Sequence, residues 1–203
     1  MASPDVVSAT ALSVEALLTR CLRDSGAFGD PPPAAHLVQT NDFGSSPPNQ
    51  AFATATTKVS VYPYRVDINP TTRAAWSAVS SLDGVIHLPL DLHLLITAWA
   101  PNARTELELI GQVMTGLEAT PTLSGPLLHP AGGWTPNESI QLVHHPLDLE
   151  SSLRIFDTIP GDYRLSVTYV ARVGRIDARG RIAPDAATVA VEARPRPTVE
   201  VGP

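Results

Sequence analysis

The amino-acid sequence predicts an α+β fold: a mixed, mainly antiparallel sheet of about 4–5 strands flanked by about 3 helices, with extended proline-rich arms. Three observations carry that expectation. The stretch Ile86 to Leu117 reads as one long strand, a tight connection and one amphipathic helix. Two more runs, 58 to 68 and 163 to 174, alternate at period two, whereas 4 to 24 and 148 to 158 repeat at helical spacing. Proline, at 20 residues of 203, is about twice as frequent as its usual share of roughly 5% and gathers between these runs.

Ser3-Pro4 has the form of an N-cap followed by proline at the first helical position. Val7, Ala11, Val14, Leu17, Leu18, Cys21 and Leu22 then mark one face of a helix ending near Asp24, with Gly26 just beyond. Residues 27 to 57, with PPP at 31 to 33 and Pro47-Pro48, show little periodicity and read as an extended loop or arm that buries too little to order itself. In Lys58 to Ile68, Val59 and Val61 share one face and Tyr62, Tyr64 and Val66 the other. Pro63 donates no ladder hydrogen bond, so the strand is expected at an edge or with a bulge there. Asn69-Pro70 turns the chain, and 71 to 85 read as a polar connection in which Trp76 docks as an anchor.

Leu88, Leu90, Leu92, Leu94 and Ile96 give the next strand one core face. Leu95 interrupts the polar face, and Ala98 and Trp99 close the run, as in an internal strand half covered by a helix or a subunit. After Pro101-Asn102, Thr105 and Glu108 have capping-box spacing, and Leu107, Ile110, Met114 and Leu117 follow at helical spacing up to Thr120-Pro121. Residues 121 to 137 read as a long contact-making loop and Ser139 to His145 as a short strand. Asp148 caps a helix carrying Leu149, Leu153 and Phe156, stopped by Pro160-Gly161. Tyr163 to Val173 is a half-exposed strand, Thr188 to Glu192 a last strand, and ARPRPTVEVGP a proline-spaced tail.

Composition narrows the function. The 43% apolar content is that of a globular chain, and a net charge of −6 argues against a nucleic-acid partner, which needs a basic field. The single cysteine, Cys21, forms no intrachain disulfide and reads as a buried small hydrophobe in a reducing compartment. A basic flank before an apolar core is missing at the N-terminus, and no stretch approaches the roughly 18 apolar residues of a membrane span; a soluble protein without a signal peptide is expected. Residues 164 to 203 carry seven arginines and four acids, a balance of +3 that leaves −9 on the residues before them. Such opposite signs suit attachment between subunits. Arginine outnumbers lysine by thirteen to one, which favours interfaces.

Signatures of catalysis are missing: no G-x-x-x-x-G-K loop, no G-x-S-x-G elbow, no H-E-x-x-H, no paired cysteines. Adjacent His144 and His145 point to opposite faces of a strand, poor geometry for one metal ion. Asp91 and His93 share a strand face and read as a polar hydrogen-bonded pair under a helix or at a subunit contact. No residue is assigned a catalytic, cofactor-binding or metal-ligating role, and no cofactor is expected.

Four ordered blocks carry a more specific signal: VSVYPYRVDINPTTRAAW (59 to 76), LPLDLHLLITAW (88 to 99), ELELIGQVMTGLEATPTLSG (106 to 125) and LDLESSLRIFDTIPGDYRLSVTYVARVGRID (147 to 177). In order and spacing this set resembles the tail-terminator, or cap, family of phage-tail-like extracellular contractile injection systems of the antifeeding-prophage type. Within them, the strand ending in an Asn-Pro turn is Val59 to Pro70, the P-L-x-L-x-x-L-L-T strand Pro89 to Thr97, the L-I-G helix segment Leu109 to Gly111 followed by Pro121 to Leu123, and the Y-R-x-S-V-x-Y strand Tyr163 to Tyr169. Pro63 stands where a leucine is common, and 27 to 57 has no counterpart.

The resemblance implies a tail-terminator domain over 1–177, including the arm at 27–57, and a C-terminal strand and extended tail over 178–203. It implies a bacterial structural protein rather than an enzyme: a homo-hexameric ring that ends the inner tube and contractile sheath distal to the baseplate, assembled in the cytoplasm as part of the particle. Its partners would be itself, the inner-tube protein and the sheath protein, with no nucleic acid and no direct membrane insertion. Candidate joining elements are Lys58 to Ile68, Thr188 to Glu192 and the tail. The alternatives are an adaptor or plug that couples the cap to a membrane or cargo through the 27–57 arm, and a small hydrolase built around Asp91 and His93.

Overall fold

A computed structural model of the chain describes residues 5–43, 57–83, 86–160 and 163–178. The predicted Ser3-Pro4 start, the 188 to 192 strand and the proline-spaced tail lie outside them. Within them the elements run α1 (Val6–Asp24), β1 (Ala35–Leu37), β2 (Lys58–Ile68), α2 (Pro70–Asp83), β3 (Ile86–Trp99), α3 (Ala103–Ala119), β4 (Thr122–Ser124), β5 (Ser139–His144), α4 (Leu149–Thr158) and β6 (Ser166–Ala178). Six strands form one sheet in the order β1-β2-β3-β6-β5-β4, antiparallel except for the parallel β1–β2 pair. The α+β class holds, with six strands and four α-helices among the described residues in place of the smaller numbers predicted.

β3 sits at the centre because both of its faces are apolar. Leu92, Leu94, Ile96 and Ala98 point into the main core, where they meet Val14, Leu17, Leu18 and Leu22 of α1 and Leu109, Val113 and Leu117 of α3, and Leu90 packs with Val6 and Val173 in a smaller cluster. Each leucine, isoleucine or valine of this set taken fully out of water contributes about 1.5–3 kcal/mol. On the other face, Leu95 and Trp99 join Val38, Phe43 and Ile159 in a second cluster, with Tyr62, Tyr64, Ile155 and Phe156 packed against it. Here Phe43 lies edge-on to Tyr62 at 5.4 Å and tilted over Trp99 at 5.9 Å, and the Trp99 indole donates to Ser60 Oγ at 2.9 Å. β6 is covered on both faces in its first half, where Thr168 and Val170 are buried as well as Tyr169 and Ala171. It therefore is not the half-exposed strand expected, and it starts at Ser166 rather than Tyr163.

Three connections carry structure that periodicity did not reveal. Residues 71 to 85, read as a polar connection, contain α2: Asn69 Oδ1 accepts from the N–H groups of Thr71 and Thr72 at 3.0 and 3.1 Å, and Pro70 fills the first helical position. Within 27 to 57, β1 and a 3-10 turn at Thr40–Phe43 are ordered by the rest of the fold, through hydrogen bonds to β2 and burial of Val38 and Phe43. The 121 to 137 loop begins with β4, whose Leu123 is fully buried. α3 is capped by Asn102, whose Oδ1 accepts from Thr105 N–H at 3.0 Å, so Thr105 is not the cap. Glu108 instead accepts from Arg104 at 2.9 Å.

α1 and α3 approach closely where Cys21 faces Gly116. A Cβ at Gly116 would lie 2.8 Å from Cys21 Sγ and 2.9 Å from its Cβ, whereas a Cβ at Gly111, on the same helix, meets nothing. Burial raises the Cys21 thiol above its ordinary range. Gly116→Leu should lower stability by about 1–3 kcal/mol through overpacking, and Gly111→Ala should raise it by about 0.8–1 kcal/mol through helix propensity. Urea unfolding of the two variants checks both signs.

Candidate assembly surfaces

A protein that joins others through its sheet needs an open strand edge. Here the β1 edge is closed by side chains of α1: Thr19 Oγ1 accepts from Ala35 N–H at 3.0 Å, and Glu15 Oε1 accepts from Leu37 N–H at 3.0 Å. β1 in turn covers β2 only at Val59 to Val61. The next residue of β2 facing that edge is Pro63, which has no N–H to offer an added strand, and the β2–β3 register shifts between Pro63 and Arg65. The proline thus has both of the features expected for it, and part of the predicted joining edge, 59 to 61, is occupied by the chain's own β1. Where β1 ends, a groove of about 740 Å³ lined by Val7, Ala11, Leu37, Val38, Tyr62 and Pro63 runs beside β2. At the opposite edge β4 spans only three residues.

Beyond the second cluster, the outer face of the sheet carries a polar belt. Asp67 Oδ2 accepts from Arg65 Nε at 2.6 Å and lies 3.0 Å from His93 Nε2. The His93 ring meets Tyr64 at 5.8 Å and His145 edge-on at 5.4 Å. Asp91 does not pair with His93, as the sequence suggested. Both of its oxygens accept from Asn69 Nδ2, at 3.0 and 3.1 Å, and Arg172 stands at 4.0 Å. Asn69 therefore ties the start of α2 to the central strand. His144, on the opposite face, packs against Tyr169 at 5.4 Å, so the adjacent histidines do diverge. Among the described residues no group of three or more His, Cys, Asp or Glu side chains converges for a metal ion.

Two of the seven C-terminal arginines face partners within the chain. Arg164 lies 4.9 Å above the Trp99 ring and donates to Glu106 at 2.9 Å, and Arg172 faces Asp91. α4 keeps its predicted cap, Asp148 Oδ1 accepting from Ser151 N–H at 2.9 Å, but Leu149 and Leu153 remain exposed. No helix among the described residues is long and apolar enough to cross a membrane.

Comparison with known proteins places this architecture. The model of the Pvc16 N-terminal domain matches residues 13–187. The chain belongs to the Pvc16 N-terminal domain family. No curated protein matches it. Among solved structures, the sheath/tube terminator of the PVC extracellular contractile injection system in the extended state is similar at 17% identity and a TM-score of 0.53 over 94% of this chain. The tube-terminating cap of the anti-feeding prophage is similar at 18% identity and a TM-score of 0.50 over 82%. This Pvc16 N-terminal domain thus has a tail-terminator fold, and the chain spans 65% and 55% of those two chains. The resemblance read from the four sequence blocks is borne out at the level of family and fold.

The sequence pattern missed Glu15, Thr19 and Arg65, because their roles depend on which strand or acid comes to lie beside them. Burial holds the His93 imidazole below its ordinary range, with Arg65 and His145 acting in the same direction and Asp67 opposing them. The fold therefore favours the neutral ring. The unfolded chain binds more protons, so stability present above an unfolded pKa of about 6.5 is lost as pH falls through the lower folded value. The unfolding temperature should drop between about pH 7 and pH 5, and His93→Gln should make that drop shallower; a scan of thermal unfolding against pH reads both.

Proposed function

We propose that this Pvc16 N-terminal domain is a structural cap of a contractile injection system, forming a ring that ends the inner tube and the contractile sheath at the end distal to the baseplate. The observation that carries the reading is the fold, shared over 94% of the chain with a sheath/tube terminator. Family membership and the likeness to a tube-terminating cap support it. The physics of the edges supports it too. A subunit that ends a polymer must bind the last ring without offering the same contact onward, and a sheet edge sealed by Thr19 and Glu15 and blunted by Pro63 withholds the simplest means of continuing a sheet.

In this reading the partners are further copies of the chain, with about six in a closed ring, together with the tube and sheath subunits. The chain assembles in the bacterial cytoplasm and stays with the particle. The protein performs no catalysis. Asp67, Asp91, His93 and His145 brace the sheet and the start of α2: Asp67 meets His93, Asp91 accepts from Asn69, and His145 packs edge-on against His93. Deleting the gene should give tubes and sheaths of uncontrolled length, measured in electron micrographs, with length control restored by the full chain. Unchanged lengths, with the chain absent from particle ends, would exclude the cap.

A further inference from the structure

α4 has an apolar stripe that the fold does not use. Leu149, Leu153 and Phe156 recur at i, i+4 and i+7, yet Leu149 is 69% exposed and Leu153 44%. Only Ile155 and Phe156 reach the second cluster. The ring of Tyr163 extends the stripe, 4.9 Å from Phe156. Asp148, Glu150 and Asp157 border it, with Arg154 the one cation of the helix, bonded to Glu150 at 2.6 Å.

A counterpart lies on the other side of the sheet. A groove of about 600 Å³ runs between α1, β1 and the turn after β4; Leu12, Ala16, Leu17 and Leu127 give it an apolar floor, and Arg20 and Arg23 stand at its rim. Its one carboxylate, Glu15, is turned onto Leu37 N–H, and Arg23 also meets Asp24 at 3.3 Å. The stripe is apolar with an acidic border, the groove apolar with a basic rim.

The geometry points to a head-to-tail contact in which the α4 stripe of one copy seats in the α1–β1 groove of the next. The occupant is a second copy because the two surfaces are complementary in apolar character and in charge, and because they lie on opposite faces of one sheet. A contact between two different patches repeats from copy to copy and closes into a ring when the rotation allows. In sequence, residues 44–56 hold one large apolar side chain, Phe52, too little to cover two leucines and a tyrosine ring. The inference rests on the ring reading above and names its contact.

The test uses the full chain, alone and with tube and sheath subunits, followed by light scattering and particle imaging. Leu149→Asp with Leu153→Asp should raise the concentration for half-assembly by at least about tenfold, leaving the unfolding temperature of the monomer unchanged, since both positions are exposed. Arg20→Glu with Arg23→Glu should do the same, and mixing in chains carrying Glu150→Arg with Asp157→Arg should restore assembly. A disulfide between Ala16→Cys and Leu153→Cys should link neighbouring copies within rings of normal size. Normal assembly of the aspartate variants, or a link from Leu153→Cys to Phe52→Cys within one chain, would overturn the contact and leave the ring reading intact. A wild-type chain that forms no ring, alone or on tube ends, would overturn both.

Discussion

The structure depends on one strand being dry on both faces. β3 presents Leu90, Leu92, Leu94 and Ile96 to one side and Leu95 and Trp99 to the other, and a strand of that kind is stable only with neighbours on both edges and cover above and below. β2 and β6 supply the edges, pairing with it over most of its length. α1 and α3 cover the larger face. The smaller face is covered piecemeal, by Phe43 from the segment after β1 and by Ile155, Phe156 and Ile159 at the end of α4. That inequality sets the character of the molecule, with a thick helical layer on one side and, on the other, a short apolar patch followed by a polar belt.

The belt and the edges follow from the same constraint. Past Leu95 the outer face of the sheet carries polar side chains that pair among themselves, Asp67 with Arg65 and His93, Asp91 with Asn69. The Asp67–His93 contact ties β2 to β3 and the Asp91–Asn69 contact fixes the start of α2, so the polar side chains brace this face. At the rim, backbone groups that would pair with any passing strand are met by Thr19 and Glu15 of α1. What remains for assembly is the surface of helices and grooves, where side chains rather than backbone select the partner.

Much of this was legible in the residues. Alternation gave β2 and β3 with the bounds observed, and placed the core face of β3 correctly. Pro63 announced its bulge, and Asp148 its helix. The missed features have physical causes. α2 carries few large apolar residues, and its signal lay in Asn69-Pro70, a cap and first-turn proline that resemble a turn in isolation. β1 has three residues and exists because β2 and α1 complete its hydrogen bonds, which no local pattern encodes. Asp91 and His93 shared a face as expected, but two-residue spacing along a strand places side chains near one another without deciding partners, and the strand on either side brought better ones. The apolar spacing of α4 was legible too; that the fold leaves half of it uncovered is a property of tertiary packing alone.

Amide hydrogen exchange on the folded chain tests most directly whether a doubly buried strand and sealed edges govern this molecule. The slowest exchange should fall on β3 from Leu92 to Ala98 and its partners in β6, and Ala35 and Leu37 should be protected despite lying on an edge strand. Exchange at those two amides alone should accelerate in Glu15→Ala with Thr19→Val. Fast exchange of Ala35 and Leu37 in the unaltered chain, or a β3 no slower than β4, would contradict it.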